Sequence, residues 1–429
     1  MSSVLVSHEP AGGRLLPDSW REPVDLNPAL ACLGQAQRVL MLQGPVGPFF
    51  DRVAQWLIGR GTQVKRVTFQ GGDDRDCQAL DPIRFTEAVA AWPQTLGTLL
   101  HGWRPDCIVL FGQSRIYHKV ALERARALDI PCVVMEEGYF RPGYVTMELG
   151  GVNGYSTTLD RFVWGEPDAP AEMQPTGITP DISRSHFQKM AWHASQHYVA
   201  MRAEQRLYPH YQHHRVANPN FYARYWVRSW LRKGWHRGTD RQFQRWLFDS
   251  ETPYFFVPLQ LDGDSQITQH SLFPNNIDFV VRVIRSFAAH APADSILVLR
   301  QHPHARGGTS HEPLIRGLAS ELKISARVHH MVEGDTPDLA QRSLGVVLIN
   351  STVGLQALER GAPLMVLGEA PYKRPDLTFA GELDHFWTRR RPPDPEAAEA
   401  FLAQVKNLTQ APASVYALRN ESLGWSALM

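Results

Sequence analysis

The chain of 429 residues is long for one hydrophobic core and comfortable for two. Its 44 Lys and Arg against 43 Asp and Glu leave it near neutral, which removes a chain-wide electrostatic case for nucleic-acid binding and makes any basic surface a local one. Cys32, Cys77, Cys107 and Cys132 are scattered without a CxxC pair, so they read as reduced core residues, not zinc ligands or a disulfide framework.

The N-terminus, MSSVLVSHEPAGGRLLPDSW, has neither a basic start nor an apolar run of signal-peptide length. No segment approaches the roughly 20 apolar residues of a membrane span. The expectation is a cytosolic protein made without a cleaved leader.

From Arg38 onward, short apolar runs alternate with longer mixed segments: RVLMLQG, QVKRVTFQGG, CIVLFGQS and PCVVMEEG, with residues 49–61 reading as a helix. Such alternation predicts a parallel sheet with crossover helices. Ligands gather at the carboxyl ends of such strands. There this half offers QGPVGPFF with Gly44 and Gly47, FGQSR with Gln113 and Arg115, and EEGYFRP with Glu136, Glu137 and Arg141. Carboxylates after the apolar CVVM are costly unless paired or used, so one of Glu136 and Glu137 is a candidate general base. An ion pair with Arg141 or a solvated turn is the ordinary alternative, and Arg141 also suits a substrate carboxylate.

Residues 168–249 show no strand pattern. They hold NFYARYWVRSWLRKGWHRGTDRQFQRWLF, and from Arg215 to Arg245 eight Arg or Lys face one acid, Asp240. Its tryptophans, Trp226, Trp230, Trp235 and Trp246, suit either a membrane headgroup region or a helical core between domains.

The second half repeats the grammar of the first with YFFVPLQ, SILVLRQHP, ARVHHMV, GVVLINS and PLMVLGE. Asp262 and Asp264 in LQLDGDSQ form a DxD pattern that reads as a metal-diphosphate ligand, as a turn, or, at Asp264, as a nucleophile toward an anomeric carbon. In RQHPHARGG a strand runs into Arg300 and His302, and Pro303 holds His302 extended. His302 there reads as a phosphate partner, a metal ligand with His304, or a solvated loop residue. In INSTVG the Asn350, Ser351 and Thr352 side chains open a helix closed by Gly361; the hydroxyls suit an anionic phosphate or simply cap the helix. Asp394 with Pro395 marks the start of a last helix.

Seven of these blocks, in order, resemble the bacterial capsule polysaccharide synthesis family, and within it the KpsS/LipB-type β-Kdo transferases: LMLQGPVGPFF, GGD at Gly71–Asp73, EEGYFRPGYVTMELGGVNG, PYFFVPLQLDGDSQITQHS, RQHPHARGG, INSTVGLQALERGAPLMVLGEAPY and LTFAGELDHFW. The resemblance implies an α/β, GT-B-like fold, two Rossmann-like parallel-sheet domains facing a cleft with a helical basic and aromatic insert. It implies transfer of Kdo (3-deoxy-D-manno-octulosonic acid) from CMP-Kdo to a lysophosphatidylglycerol acceptor, starting a poly-Kdo linker by retaining double displacement. On the matching motifs, Glu136 or Glu137 is acid/base, Asp264 is the nucleophile, and His302, Ser351 and Thr352 hold the CMP phosphate.

The remaining strand-end residues sort with these. Pro303, Arg300, Asn350, Gln260 and Arg141 fall on the donor side, and Gly44, Gly47, Gln113 and Arg115 on the acceptor side. The domains expected are 1–170 for the acceptor side, 171–250 for the insert, 251–390 for the nucleotide sugar and 391–429 for a helical tail. A single phosphate needs no metal, so none is expected and CMP-Kdo is substrate, not cofactor. The expected partners are the lipid acceptor, the cytoplasmic surface of the inner membrane and capsule assembly or export proteins, with no nucleic acid. Two other readings are kept: a catalytically silent scaffold of an assembly-export complex, and a metal-dependent DxD glycosyltransferase.

Overall fold

The computed structural model describes residues 27–140, 143–152, 155, 156, 158, 185–213, 219–261, 273–302, 305–308 and 310–428. Two sheets organise them. The first has the order β12-β6-β5-β4-β1-β2-β3, from β1 (Arg38–Met41), β2 (Gln63–Thr68), β3 (Ile83–Arg84), β4 (Cys107–Phe111), β5 (Cys132–Glu137), β6 (Tyr144–Leu149) and β12 (Gln410–Pro412). The second has the order β11-β10-β7-β8-β9, from β7 (Tyr254–Pro258), β8 (Ile296–Arg300), β9 (Val328–Met331), β10 (Gly345–Leu348) and β11 (Leu364–Val366).

Every pair in the second sheet is parallel. The first is parallel from β5 to β3, with β6 and β12 added antiparallel at one edge. Runs such as CIVL, CVVM, ILVL and GVVL are buried throughout because each sheet is covered on both faces. Four apolar clusters supply that cover, two to each sheet. This is the GT-B-like pair of Rossmann-like sheets expected from the sequence.

Both sheets reverse strand order at one place. After β1, β2 and β3 the chain returns to lay β4 on the other side of β1; after β7, β8 and β9 it lays β10 on the other side of β7. A crevice opens where neighbouring crossovers diverge, so the ends of β1 and β4, and of β7 and β10, are where a ligand is expected.

The chain end ties the two halves together. The helix Pro395–Thr409 starts as expected, with Ala397 N donating to Asp394 Oδ1 at 2.9 Å and Pro395 in its first turn. Its Ala398, Phe401 and Val405 share an apolar cluster with the second sheet, and Tyr139 and Phe140 of the first half join that cluster. The chain then re-enters the first sheet as β12 and ends against it. Trp425 is buried there, and the Arg52 guanidinium donates to the carbonyls of Ser414, Glu421 and Ser422.

The basic, aromatic segment forms two helices, Ser185–Ala203 and Pro219–Asp249. The first packs on the first half, through His197 to Asp76. The second packs on the second half: Asp240 accepts from Val332 N and Glu333 N, Arg232 donates to the carbonyls of Arg306 and Gly308, and Leu247 is buried.

Candidate active site at the strand ends

At the reversal point of the second sheet, Gln260 and Asn350 clasp each other. Gln260 Nε2 donates to Asn350 Oδ1 at 3.0 Å and Asn350 N donates to Gln260 Oε1 at 3.2 Å. Asn276 Nδ2 fixes the same loop by donating to Gln260 O at 2.9 Å. Ser351 and Thr352 follow directly, ahead of the helix Val353–Glu359. Ser351 Oγ accepts from Val353 N at 3.3 Å, while the exposed Thr352 hydroxyl makes no cap bond. Tyr372, buried, donates its hydroxyl to Ser351 O at 2.5 Å and so sets the course of this turn. Gly354 makes room for that ring, since a Cβ there would lie 2.5 Å from it.

On the other side of β7, Leu259 N donates to Arg300 O at 2.9 Å, which puts the end of β8 beside Gln260. His302 follows, half-buried, with its carbonyl accepting from Ala305 N at 2.8 Å. Gln260, Asn350, Ser351, Thr352 and His302 are therefore drawn to adjacent strand ends. Arg300 has a different neighbourhood: its buried guanidinium donates to Thr336 Oγ1, close to Glu333, Asp335 and Asp240. Burial lowers its pKa, the Glu333 carboxylate opposing. Asp262, Asp264, Arg141, Pro303 and His304 lie outside the described residues.

In the first sheet, Arg115 donates to the carbonyls of Gly44, at 2.9 Å, and Gln43, at 3.4 Å, bridging the ends of β1 and β4 at their reversal point. Gly44 admits the Phe50 ring, which a Cβ would meet at 2.8 Å. Gly47, at φ +96°, donates its N–H to Asp76 Oδ2. Gln113 is used on the backbone, giving Nε2–H to Val152 O and accepting from Val152 N. These residues hold the loops at the first reversal point.

The two glutamates end β5 on opposite faces, as successive strand residues must. Glu136 pairs in register with Thr146, and its Oε1 lies 3.7 Å from where a Cβ of Gly112 would stand. Glu137 accepts from Tyr416 Oη at 2.5 Å. Next along the chain, Tyr139 N donates to Gln410 Oε1 at 3.0 Å. A physical path links both halves of the candidate site: Glu136 and Glu137 precede Tyr139, Gln410 caps the helix 395–409, and that helix packs on Val353–Glu359, whose N-cap is Thr352.

Sequence reasoning missed a buried polar cluster beside the first reversal point. Asp73 accepts from Gln43 Nε2, Gln70 Nε2 and Phe69 N, and burial pushes its pKa up, the nearby His197 and Arg66 opposing. Asp76 is also buried, which alone would raise it, but the 2.8 Å bond from His197 Nδ1 and the one from Gly47 N leave it below the usual carboxylate range. The Gly71–Gly72 pair lets the helix Ser185–Ala203 come this close: a Cβ on Gly72 would lie 2.7 Å from the His197 ring. The GGD stretch was the one sequence trace of this cluster. His118, on the helix Ile116–Ala127, is fully buried with Nδ1 against Gly112 O, and burial pushes its pKa down to about 3.

Among the described residues no three His, Cys, Asp or Glu side chains gather as a metal would require. An open depression of about 570 Å³ near Thr86, Glu87, Arg206 and His210 is lined by none of the sequence-predicted site residues.

Comparison with known proteins decides the family. Residues 106–416 match the model of the capsule polysaccharide biosynthesis protein family. The chain belongs to that family. It is 34% identical over 391 residues to the Escherichia coli capsule polysaccharide export protein KpsS, covering 90% of this chain and 99% of KpsS. It is also 34% identical over 389 residues to the Neisseria meningitidis serogroup B capsule polysaccharide modification protein LipB, covering 90% of this chain and 93% of LipB. Among solved structures, the Thermosulfurimonas dismutans KpsC β-Kdo 2,7 transferase aligns with a TM-score of 0.41 and 13% identity, over 88% of this chain and 93% of that one.

Proposed function

We propose that this protein is a capsule glycosyltransferase that moves Kdo from CMP-Kdo to a lipid acceptor, with lysophosphatidylglycerol as the acceptor class, by retaining double displacement. The observation that carries the reading is the pairing of Gln260 with Asn350 at the second reversal point, with Ser351, Thr352 and His302 beside it. Uncharged donors next to an imidazole suit one phosphate of a nucleoside monophosphate. Membership of a capsule biosynthesis family and the kinship to KpsS and LipB support a capsule sugar as the cargo.

In this reading an Asp264 carboxylate oxygen attacks the anomeric carbon of Kdo as the bond to the phosphate oxygen breaks, and CMP departs held by His302, Ser351 and Thr352. Glu136 then takes the proton of the acceptor hydroxyl, whose oxygen attacks the same carbon and releases Asp264. Two inversions return the original configuration. Glu136 is assigned the base in this reading, and Glu137, which accepts from Tyr416 Oη, is the alternative. Metal-bound diphosphate chemistry is not needed for this donor.

The test is incubation with CMP-Kdo, generated in place, and a fluorescent lysophosphatidylglycerol. A mass gain of one Kdo is expected. No gain, together with capture of export proteins, would favour a non-catalytic scaffold, and activity abolished by EDTA would favour the DxD transferase.

A further inference from the structure

The long helix Pro219–Asp249 has two unlike faces. Inward, Ser229, Arg232, Asp240, Phe243, Gln244 and Leu247 hold the second domain at three- and four-residue spacing. Outward, Val227, Leu231 and Trp235 stand four apart and are 61, 70 and 79% exposed, with Trp230 and Trp246 at 68 and 49%. Arg224, Arg228, Arg241 and Arg245 are exposed at the same four-residue steps around them. Asp240, the one acid between Arg224 and Arg245, is turned inward and buried.

A soluble protein exposes single apolar residues freely, but several large ones along one helix face mark a contact surface. Two tryptophans with flanking arginines fit one occupant in particular, an anionic phospholipid surface. Indole sits at headgroup depth, guanidinium meets phosphate, and a helix of this kind lies in the interface plane. No helix among the described residues is long and apolar enough to cross a membrane, so the contact is lateral. We infer that the outward face of Pro219–Asp249 docks the protein reversibly on anionic bilayers through Trp230, Leu231 and Trp235, with the exposed arginines supplying the charge.

This inference stands apart from the transfer reaction, and its test uses no substrate. The full chain is co-sedimented with vesicles of phosphatidylcholine alone and of phosphatidylcholine with phosphatidylglycerol. Binding to the anionic vesicles, weakened by salt and absent on neutral ones, is expected. Each Arg→Gln change at 224, 228, 241 and 245 should weaken partitioning about five-fold. Trp230→Ala with Trp235→Ala should weaken it by roughly ten-fold or more. Because these side chains point to solvent, the thermal transition should not move, and the arginine set serves if the tryptophan variant folds poorly. Equal binding to neutral vesicles, no binding, or variants that bind like the parent would overturn the inference. So would a concentration-dependent dimer that Trp235→Ala dissolves, since a second copy would then be the occupant.

Discussion

Replacing Gly354 with Ala probes whether the Ser351–Thr352 turn after β10 is held by packing. The new Cβ would lie 2.5 Å from two ring atoms of Tyr372 and 2.6 Å from its hydroxyl oxygen. Tyr372 is 3% exposed, so its ring has no solvent side to retreat to. Overpacking of this kind costs about 1–3 kcal/mol. A shifted ring also loses its hydroxyl bond to Ser351 O, worth about 1 kcal/mol net and more if the carbonyl is left buried and unpaired. Against this, Ala gains roughly 1 kcal/mol of helix propensity over Gly. The balance is a destabilisation of about 1–3 kcal/mol, with Ser351 and Thr352 displaced. Urea unfolding should show a lower midpoint at unchanged slope, and titration with CMP should show weakened binding. A variant as stable as the parent, or more stable, with unaltered CMP binding would refute the claim that Tyr372 and Gly354 set this turn.

His118 predicts a pH dependence. Its folded-state pKa lies below the ordinary histidine value, so the unfolded chain binds more protons between about 6.5 and 3 and stability falls as pH falls through that window, by about 1.4 kcal/mol per pH unit. His118→Gln should flatten the acid limb of a denaturation series, although His330, pushed down to about 4 by burial, keeps part of it. An unchanged limb contradicts the burial argument. Glu136→Gln should cut turnover at least roughly 100-fold, whereas Glu137→Gln and Tyr416→Phe should cost stability of about 1–2 kcal/mol with a smaller effect on rate. Steady-state rates in the opposite order would exchange the two glutamates. Gln410→Ala removes the acceptor for Tyr139 N at the joint of the two halves. It should lower stability by about 1–3 kcal/mol, read by urea denaturation; an unchanged midpoint would make that bond incidental.

Nine of the ten strands in parallel pairings were legible, chiefly because strands buried on both faces leave continuous apolar runs, such as CIVL and ILVL. β6 was not, because YVTMEL carries the buried Glu148 and sits within a motif whose interest was chemical. β3 and β12, two and three residues long, leave no periodicity to read. Gln260 and Asn350 were recognised by type and place, at strand ends, before any contact was known. Gln113 and Arg115 look the same in sequence, yet their partners are backbone groups at Val152 and Gly44 that no spacing reveals. The Asp76–His197 bond spans 121 residues and is a product of tertiary packing alone. Composition singled out the basic helix but left its tryptophans between core and surface; Trp230 and Trp235 are on the surface, while Phe243 and Leu247 take the inward face.

The most direct measurement is the anomeric configuration of the product, by NMR, after reaction of the intact protein with CMP-Kdo and a lysophospholipid, run in parallel with Asp264→Ala. The account predicts a single Kdo configuration matching that of the donor, and an Asp264→Ala protein that folds and binds CMP yet makes no product. An inverted product, or near-normal turnover by Asp264→Ala, contradicts it.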